Sequence, residues 1–215
     1  MTFREYIDYQ WQDLLLYTFQ HIQVVLIAVG LGALIAIVVG TLVYDRPVAR
    51  QVILTVTATM LTIPSFAMFG LLIPWLGLGA APTIFALTFY AIFPILRNVI
   101  TGLQSVPAEV EEAARGMGLS ARRRLILVRV PLAWPVLLNG VRVATILCVA
   151  IAAIAAAVNG PGLGKPIFEG LARVGGANAL NATLSGVIGV MAVALILDLL
   201  FILIARLTTS RGIRD

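Results

Sequence analysis

Residues 109–131 read EVEEAARGMGLSARRRLILVRVP and form the longest polar stretch in a chain that is otherwise rich in apolar segments. Glutamates lead the stretch and arginines close it. Because strongly apolar segments flank it on both sides, we expect it to face water rather than lipid. The sequence therefore indicates a membrane protein with one patterned polar loop, and that loop is where a partner is expected to bind.

The composition also indicates a membrane protein with several spans. Of its 215 residues, 60% are hydrophobic and only 12% are charged, and the mean hydropathy is +1.02, far above that of a soluble domain. The net charge of +5 could indicate nucleic-acid binding. The arginines lie beside apolar segments, however, so the cytosolic excess of basic residues in membrane proteins explains them better.

The apolar segments predict an all-α membrane protein with five transmembrane helices, each close to the roughly 20 residues that cross the hydrocarbon. The spans are expected at about Ile22–Val43, Val52–Trp75, Pro82–Leu103, Trp134–Val158 and Thr183–Ala205. Residues 1–215 are predicted to form one domain, with a cytosolic loop at 104–131 and an outer loop at 159–182.

Residues 1–21 are mixed polar and aromatic and show no pattern of a cleavable signal peptide. They predict a short helix lying along the membrane surface, with His21 as an ordinary interfacial side chain. In the outer loop, the sequence NGPGLG at 159–164 lacks the lysine and hydroxyl residue of a phosphate-binding loop. A short helix around Ile167–Ala172 is expected there instead.

Basic residues predict the orientation. One set of loops and the tail hold most of them: Arg46, Arg50, Arg115, Arg122, Arg123, Arg124, Arg129, Arg206, Arg211 and Arg214. The opposite side holds Arg4, Lys165 and Arg173. This bias predicts an N-terminus outside the cell and a C-terminus in the cytosol.

Prolines within the predicted spans indicate bends or breaks in the helix, because Pro64 and Pro94 each remove a backbone donor. Such a bend is either a flexible point in a gated path or a static packing kink. Ser65, Phe66 and Phe93 are candidates to line that path, and ordinary packing is the alternative for the aromatic side chains. The widely separated tryptophans do not predict an aromatic cage for a cation.

Asp198 is an acid inside a predicted span, which costs about 2.5–3.5 kcal/mol when it is unpaired. We expect it to pair with Arg142 or Arg97. The pair could be structural, a conformational latch or a proton-coupling site, and the last reading would imply a secondary carrier. No cluster of His, Cys, Asp or Glu has metal-ligand spacing, and we identify no catalytic residue.

The polar stretch carries helix signals. Ser105 and Pro107 mark a start, and glutamates occupy the first turns, where the helix dipole favours anions. Gly116 and Gly118 are expected to end this helix, and Ser120 to cap a second helix that carries the arginine run. The apolar positions of the first helix share one face: Val110, Ala113, Ala114 and Met117.

The spacing in this stretch resembles the signature of bacterial ABC importer permeases. Glu112-Ala113-Ala114 is followed after three residues by Gly118, and Val128, Val130 and Pro131 stand at the closing positions. Valines replace the isoleucine and leucine of that signature. Further segments are similar to the branch that imports glycine betaine, choline and carnitine: TIPS at 62–65, PILRN at 94–98, GLG at 162–164 and DLL at 198–200.

The resemblance implies a non-catalytic permease subunit in the bacterial inner membrane, with coupling helices between spans three and four. It implies a homodimer or a heterodimer with a paralogue, two cytosolic ATPases that bind ATP and Mg²⁺, and an extracytoplasmic solute-binding protein. The residues that it assigns to ATPase docking or coupling are Glu111, Glu112, Ala113, Ala114, Gly116, Met117, Gly118, Arg122, Arg123 and Pro131. A methionine-type or other amino-acid permease and a stand-alone ion-coupled carrier are the alternatives.

Overall fold

The computed structural model describes residues 1–209, which form helices joined by short turns and contain no strand. The helices are α1 (Phe3–Val43), α2 (Pro47–Met60), α3 (Ser65–Leu76), α4 (Ala80–Gln104), α5 (Ala108–Gly116), α6 (Ala121–Arg124), α7 (Val130–Ile154), α8 (Gly164–Ala172) and α9 (Ala179–Thr208). A π-helical turn, Leu125–Arg129, joins α6 to α7, and a 3₁₀ turn, Ala155–Val158, follows α7. The all-α prediction is confirmed for this part of the chain.

Helix α4 lies at the centre and packs against α1 and α7. A Cβ at Gly32 of α1 would come within 2.8 Å of the Ala91 Cβ on α4. On the side of α7, a Cβ at Gly140 would lie 2.6 Å from the Asn98 Cβ. Small residues let helices approach closely in a membrane, where van der Waals packing rather than the hydrophobic effect holds them together. These glycines therefore set the spacing of the three central helices.

Helix α1 corrects the prediction for residues 1–21. No separate surface helix is present, because this segment is the first half of one helix of 41 residues. A capping box between Thr2 and Glu5 starts the helix, and no glycine or proline interrupts it before Gly30. At about 60 Å, the helix is roughly twice as long as the hydrocarbon is thick.

His21 is buried, which overturns the prediction of an interfacial side chain. Its Nδ1 accepts a hydrogen bond from the Leu163 backbone N–H at 3.3 Å, and its Nε2 donates to the Val149 carbonyl at 3.1 Å. A Cβ at Gly162 would lie 2.9 Å from Nδ1, so the loop can approach the ring only with glycine there. His21 thus joins α1 to α7 and to the loop before α8.

The predicted second span is broken at Pro64, which is one of the two outcomes expected there. Helices α2 and α3 meet at an angle of 93° around Pro64. The break leaves the Ile63 carbonyl without a hydrogen bond inside a helix. The Tyr90 hydroxyl on α4 donates to this carbonyl at 2.7 Å. The neighbouring helix α4 therefore supplies a hydrogen-bond partner at the break.

Pro94 behaves differently from Pro64, because α4 runs through it without a break. It is buried, and its carbonyl would lie 3.1 Å from a Cβ at Gly140. Its carbonyl also accepts a hydrogen bond from the Asn98 amide at 2.8 Å. Pro94 therefore lies in a close contact between α4 and α7.

The number of spans depends on how the broken pair is counted. Within residues 1–209, four helical stretches are long and apolar enough to cross a membrane, and a fifth exists only if α2 and α3 form one span. The helix that contains the fourth predicted span begins earlier than that span, since helical backbone is continuous over 121–158 and includes the arginine run. Helix α8 is present where a short outer helix was predicted.

We predict that Gly32→Leu destabilises the protein by about 1–3 kcal/mol or more, because the side chain must displace α4. The matched control is Gly30→Leu, since a Cβ at Gly30 meets nothing within 4 Å. Melting temperatures of the detergent-purified variants measure the effect. Equal melting temperatures for the two variants would contradict the close packing of α1 against α4.

Candidate functional site

The polar stretch predicted as the coupling loop (residues 104–131) folds as a short helix, a tight turn and a second helix. Helix α5 begins after Pro107, has Glu109 and Glu111 in its first turn and ends at Gly116. Gly118 has φ of +79°, a conformation that disfavours side chains, and the Leu119 N–H bonds back to the Ala114 carbonyl at 3.2 Å. The chain reverses here and enters α6, with Ser120 at its N-cap position.

Glu111 holds the two arms of this loop together. Its Oε1 accepts a hydrogen bond from Arg124 Nε at 2.7 Å, and its Oε2 accepts one from Arg129 Nε at 3.0 Å. Hydrogen bonding to Arg129, and then to Arg124, holds the pKa of the Glu111 carboxyl below its usual value, although partial burial opposes the shift. We call these three residues the Glu111 clamp.

Arg129 extends the clamp to the ends of the membrane helices. Its Nη1 donates to the Leu103 carbonyl at the end of α4, at 3.3 Å. Its guanidinium carbon lies 5.0 Å from the centre of the Tyr44 ring, directly after α1, in a cation–π contact. The Tyr44 carbonyl in turn accepts hydrogen bonds from Gln104 Nε2 at 2.9 Å and from Arg50 Nη1 at 3.1 Å. One arginine therefore contacts the ends of α1 and α4 and the start of α7.

Most of the predicted docking residues lie on the outer surface of the loop. The exposed ones are Glu112, Ala113, Gly116, Met117, Gly118, Arg122, Arg123 and Pro131. Ala114 is buried, and Glu111 is partly buried within the clamp. The predicted apolar face is thus split, because Ala114 is buried whereas Val110, Ala113 and Met117 are exposed.

A cleft of about 430 Å³ separates this helix from the membrane helices. Glu112 and Arg115 line it together with Tyr44, Gln104 and the clamp residues Glu111 and Arg129. Tyr44, Gln104 and Arg50 were not identified from the sequence as functional residues. The signal that could have found them is that each is polar and lies at or near the end of an apolar helix.

The predicted path residues are not brought together into one site. Pro64 and Ser65 lie at the break between α2 and α3, and the Phe66 side chain is exposed. Phe93 lines a separate cleft of about 250 Å³ with residues of α2 and with Arg97, and Phe66 does not line it. Pro94 is buried inside α4.

Asp198 forms a bidentate pair with Arg142 across α9 and α7. The Nε–Oδ1 distance is 2.6 Å and the Nη2–Oδ2 distance is 2.8 Å. Of the two arginines that the sequence offered, Arg97 is not a member of this pair. Within residues 1–209, no three side chains of His, Cys, Asp or Glu are grouped to hold a metal ion.

Comparison with known proteins identifies the family. Residues 28–210 match the family of binding-protein-dependent transport system inner membrane components. The osmoprotectant import permease protein OsmW of Salmonella typhimurium is 34% identical over 202 residues, which cover 92% of each chain. The choline transport system permease protein OpuBB of Bacillus subtilis is also 34% identical, over 94% of this chain and 91% of its own.

A solved structure gives the same fold. The MetNI methionine ABC transporter in an inward-facing conformation matches with a TM-score of 0.82 over 94% of this chain and 98% of the matched chain. The sequence identity is 21%, so this likeness concerns the fold alone. From the extent of the family match and the identity to the curated relatives, the chain belongs to the binding-protein-dependent inner membrane components, the translocation subunits of ABC transporters.

Proposed function

We propose that this chain is the translocation subunit of an ATP-driven importer for a small quaternary amine such as glycine betaine, choline or carnitine. The names of its relatives, which include a glycine betaine/carnitine/choline permease of Bacillus subtilis, support this substrate class. The coupling role is supported by the two different faces of α5. One face is attached to the membrane helices through the Glu111 clamp, and the other, which carries Met117, is exposed. The carrier and amino-acid alternatives have no comparable support.

The proposed topology counts α2 and α3 as one broken span, which gives five spans in a single domain over 1–215. The N-terminus is then outside and the C-terminus in the cytosol, in agreement with the distribution of arginines. In this orientation the coupling loop faces the cytosol, and α8 lies on the outer side with the loop 159–182.

A cytosolic ATPase is the proposed partner of the coupling loop. Val110, Ala113 and Met117 enter an apolar cleft on that partner, and Glu112, Arg122 and Arg123 contact its rim. ATP and Mg²⁺ belong to the ATPase, and this chain supplies no group to hydrolysis. When the ATPase moves α5, the Glu111 clamp passes the movement through Arg129 to Tyr44 and Leu103, and through continuous backbone to α7.

Solute selection is proposed to reside mainly in an extracytoplasmic binding protein. A quaternary ammonium ion has no hydrogen-bond donor and is held best by several aromatic rings. The aromatic candidates Phe66 and Phe93 do not line a common cleft in this chain. The path for the solute is then formed between two permease copies, which are identical or paralogous.

Reconstitution tests the proposed function. We expect liposomes that contain the permease and its ATPase, with the binding protein added outside, to accumulate labelled choline or glycine betaine only when ATP is inside. Omitting either partner should abolish uptake. Uptake by the permease alone would contradict the proposal and favour a carrier, whereas uptake of methionine in place of quaternary amines would contradict the substrate class.

We predict that Met117→Glu reduces the ATPase retained by the purified permease by about tenfold or more, because a charge then faces an apolar cleft. Met117 is 74% exposed, and Val174, in the turn after α8, is 79% exposed and serves as the matched control. Val174→Glu should leave ATPase retention unchanged. Equal ATPase retention by both variants would mean that the exposed face of α5 is not part of the docking surface.

Glu111→Gln is expected to uncouple transport without removing the ATPase. The ATPase stays bound because the outer face of α5 is intact, but solute transported per ATP falls because the clamp has lost its charge. Glu109→Gln is the control, since Glu109 shares the first turn of α5 but is exposed and outside the clamp. Uptake and hydrolysis measured in the same liposomes give the ratio, and a normal ratio in Glu111→Gln would contradict the relay.

A further inference from the structure

A second cleft, distinct from the coupling loop, lies between α7 and α9. Its volume is about 400 Å³. The residues that line its described walls are Pro135, Leu138, Asn139, Arg142, Phe201, Ile202, Ala205, Arg206 and Thr209. None of the residues assigned above to ATPase docking or to the solute path lines this cleft.

One end of the cleft adjoins a contact between Trp134 and Thr208. The Trp134 indole Nε1 donates to the Thr208 hydroxyl at 2.7 Å and joins the start of α7 to the end of α9. Tryptophan is enriched at the boundary between hydrocarbon and water. Arg206 lies within one turn of Thr208, whereas Asp198 lies about 12 Å deeper along α9.

The charges in the cleft do not balance. Arg142 is neutralised by its bidentate pair with Asp198. Arg206 is exposed and forms no ion pair with any other residue in the range 1–209. Among the described residues that line the cleft, Arg206 is therefore the guanidinium without an ion pair. Near the edge of the hydrocarbon, a cation attracts an anion strongly.

The walls of the cleft show that its occupant is also apolar. Leu138, Phe201 and Ile202 line it below Arg206. The neighbouring surface of α9 continues this apolar character, because Leu199 and Leu203 are exposed. A free inorganic anion would leave these walls uncovered, whereas an amphiphile with an anionic head matches both the charge and the apolar lining.

We propose that the cleft binds one anionic phospholipid from the cytosolic leaflet. The phosphate is held by the guanidinium of Arg206, and the acyl chains lie along Leu138, Phe201 and Ile202. The assignment of the leaflet rests on the proposed topology, but lipid binding itself requires neither the ATPase nor a solute. A failure of the transport proposal would therefore not contradict lipid binding at this cleft. A failure of lipid binding would likewise not contradict the transport proposal.

Native mass spectrometry of the detergent-purified permease, with phosphatidylglycerol or phosphatidylcholine added in equal amounts, tests the proposal. We expect phosphatidylglycerol to be retained about fivefold more than phosphatidylcholine. This ratio corresponds to about 1 kcal/mol, the typical attraction between one basic residue and an anionic membrane surface. Arg206→Gln should abolish this preference, and Arg206→Lys should keep part of it. Arg97→Gln is the matched control, because Arg97 is also exposed near the end of a long helix and lines a different cleft.

Three results would overturn the proposal. Equal retention of the two lipids by the wild type would mean that a different occupant, such as a second copy of the chain, covers the cleft. An unchanged preference in Arg206→Gln would place the lipid elsewhere. Displacement of phosphatidylglycerol by inorganic phosphate at the same concentration would make the cleft a site for a free anion.

Discussion

The carboxylate of Glu111 is shared by Arg124 and Arg129, and the position of α5 depends on that contact. Charge-assisted hydrogen bonds of this kind are stronger than neutral ones and fix the geometry of their partners. Helix α5 has nine residues and buries only Ala114, so packing alone holds it weakly. The Glu111 clamp holds α5 more firmly and, through Arg129, connects it to the ends of α1 and α4.

The membrane helices next to the Glu111 clamp are packed closely against one another, so they can move as one unit. Close glycine contacts lock α1 and α7 onto α4, and Tyr90 secures the break at Pro64. Within the part of the chain that the structure describes, no buried side-chain polar atom lacks a hydrogen-bond partner. Unpaired groups, such as Arg206 and the outer face of α5, lie on the surface, where a lipid or a partner protein can meet them.

Local signals in the sequence were enough for some elements and not for others. The start of α5 after Pro107, its end at Gly116 and the short helix α8 follow from turn residues that act over a few positions. Burial of His21 depends on Val149 and Leu163, which are more than a hundred residues away in the chain. The distinction between Glu111 and Glu112 likewise depends on where Arg129 lies in space, because both residues are glutamates on one short helix.

Distance measurement between spin labels tests the central claim that the coupling loop moves together with the membrane helices. Labels at Glu109 on α5 and Val48 on α2 occupy exposed positions, and the native Cys148 is buried and shielded from labelling. In the complex with its ATPase, we predict a distance distribution that does not shift when ATP binds. We predict a shift when the same labels are placed in the Glu111→Gln protein. A shift of equal size in the wild type would contradict the claim.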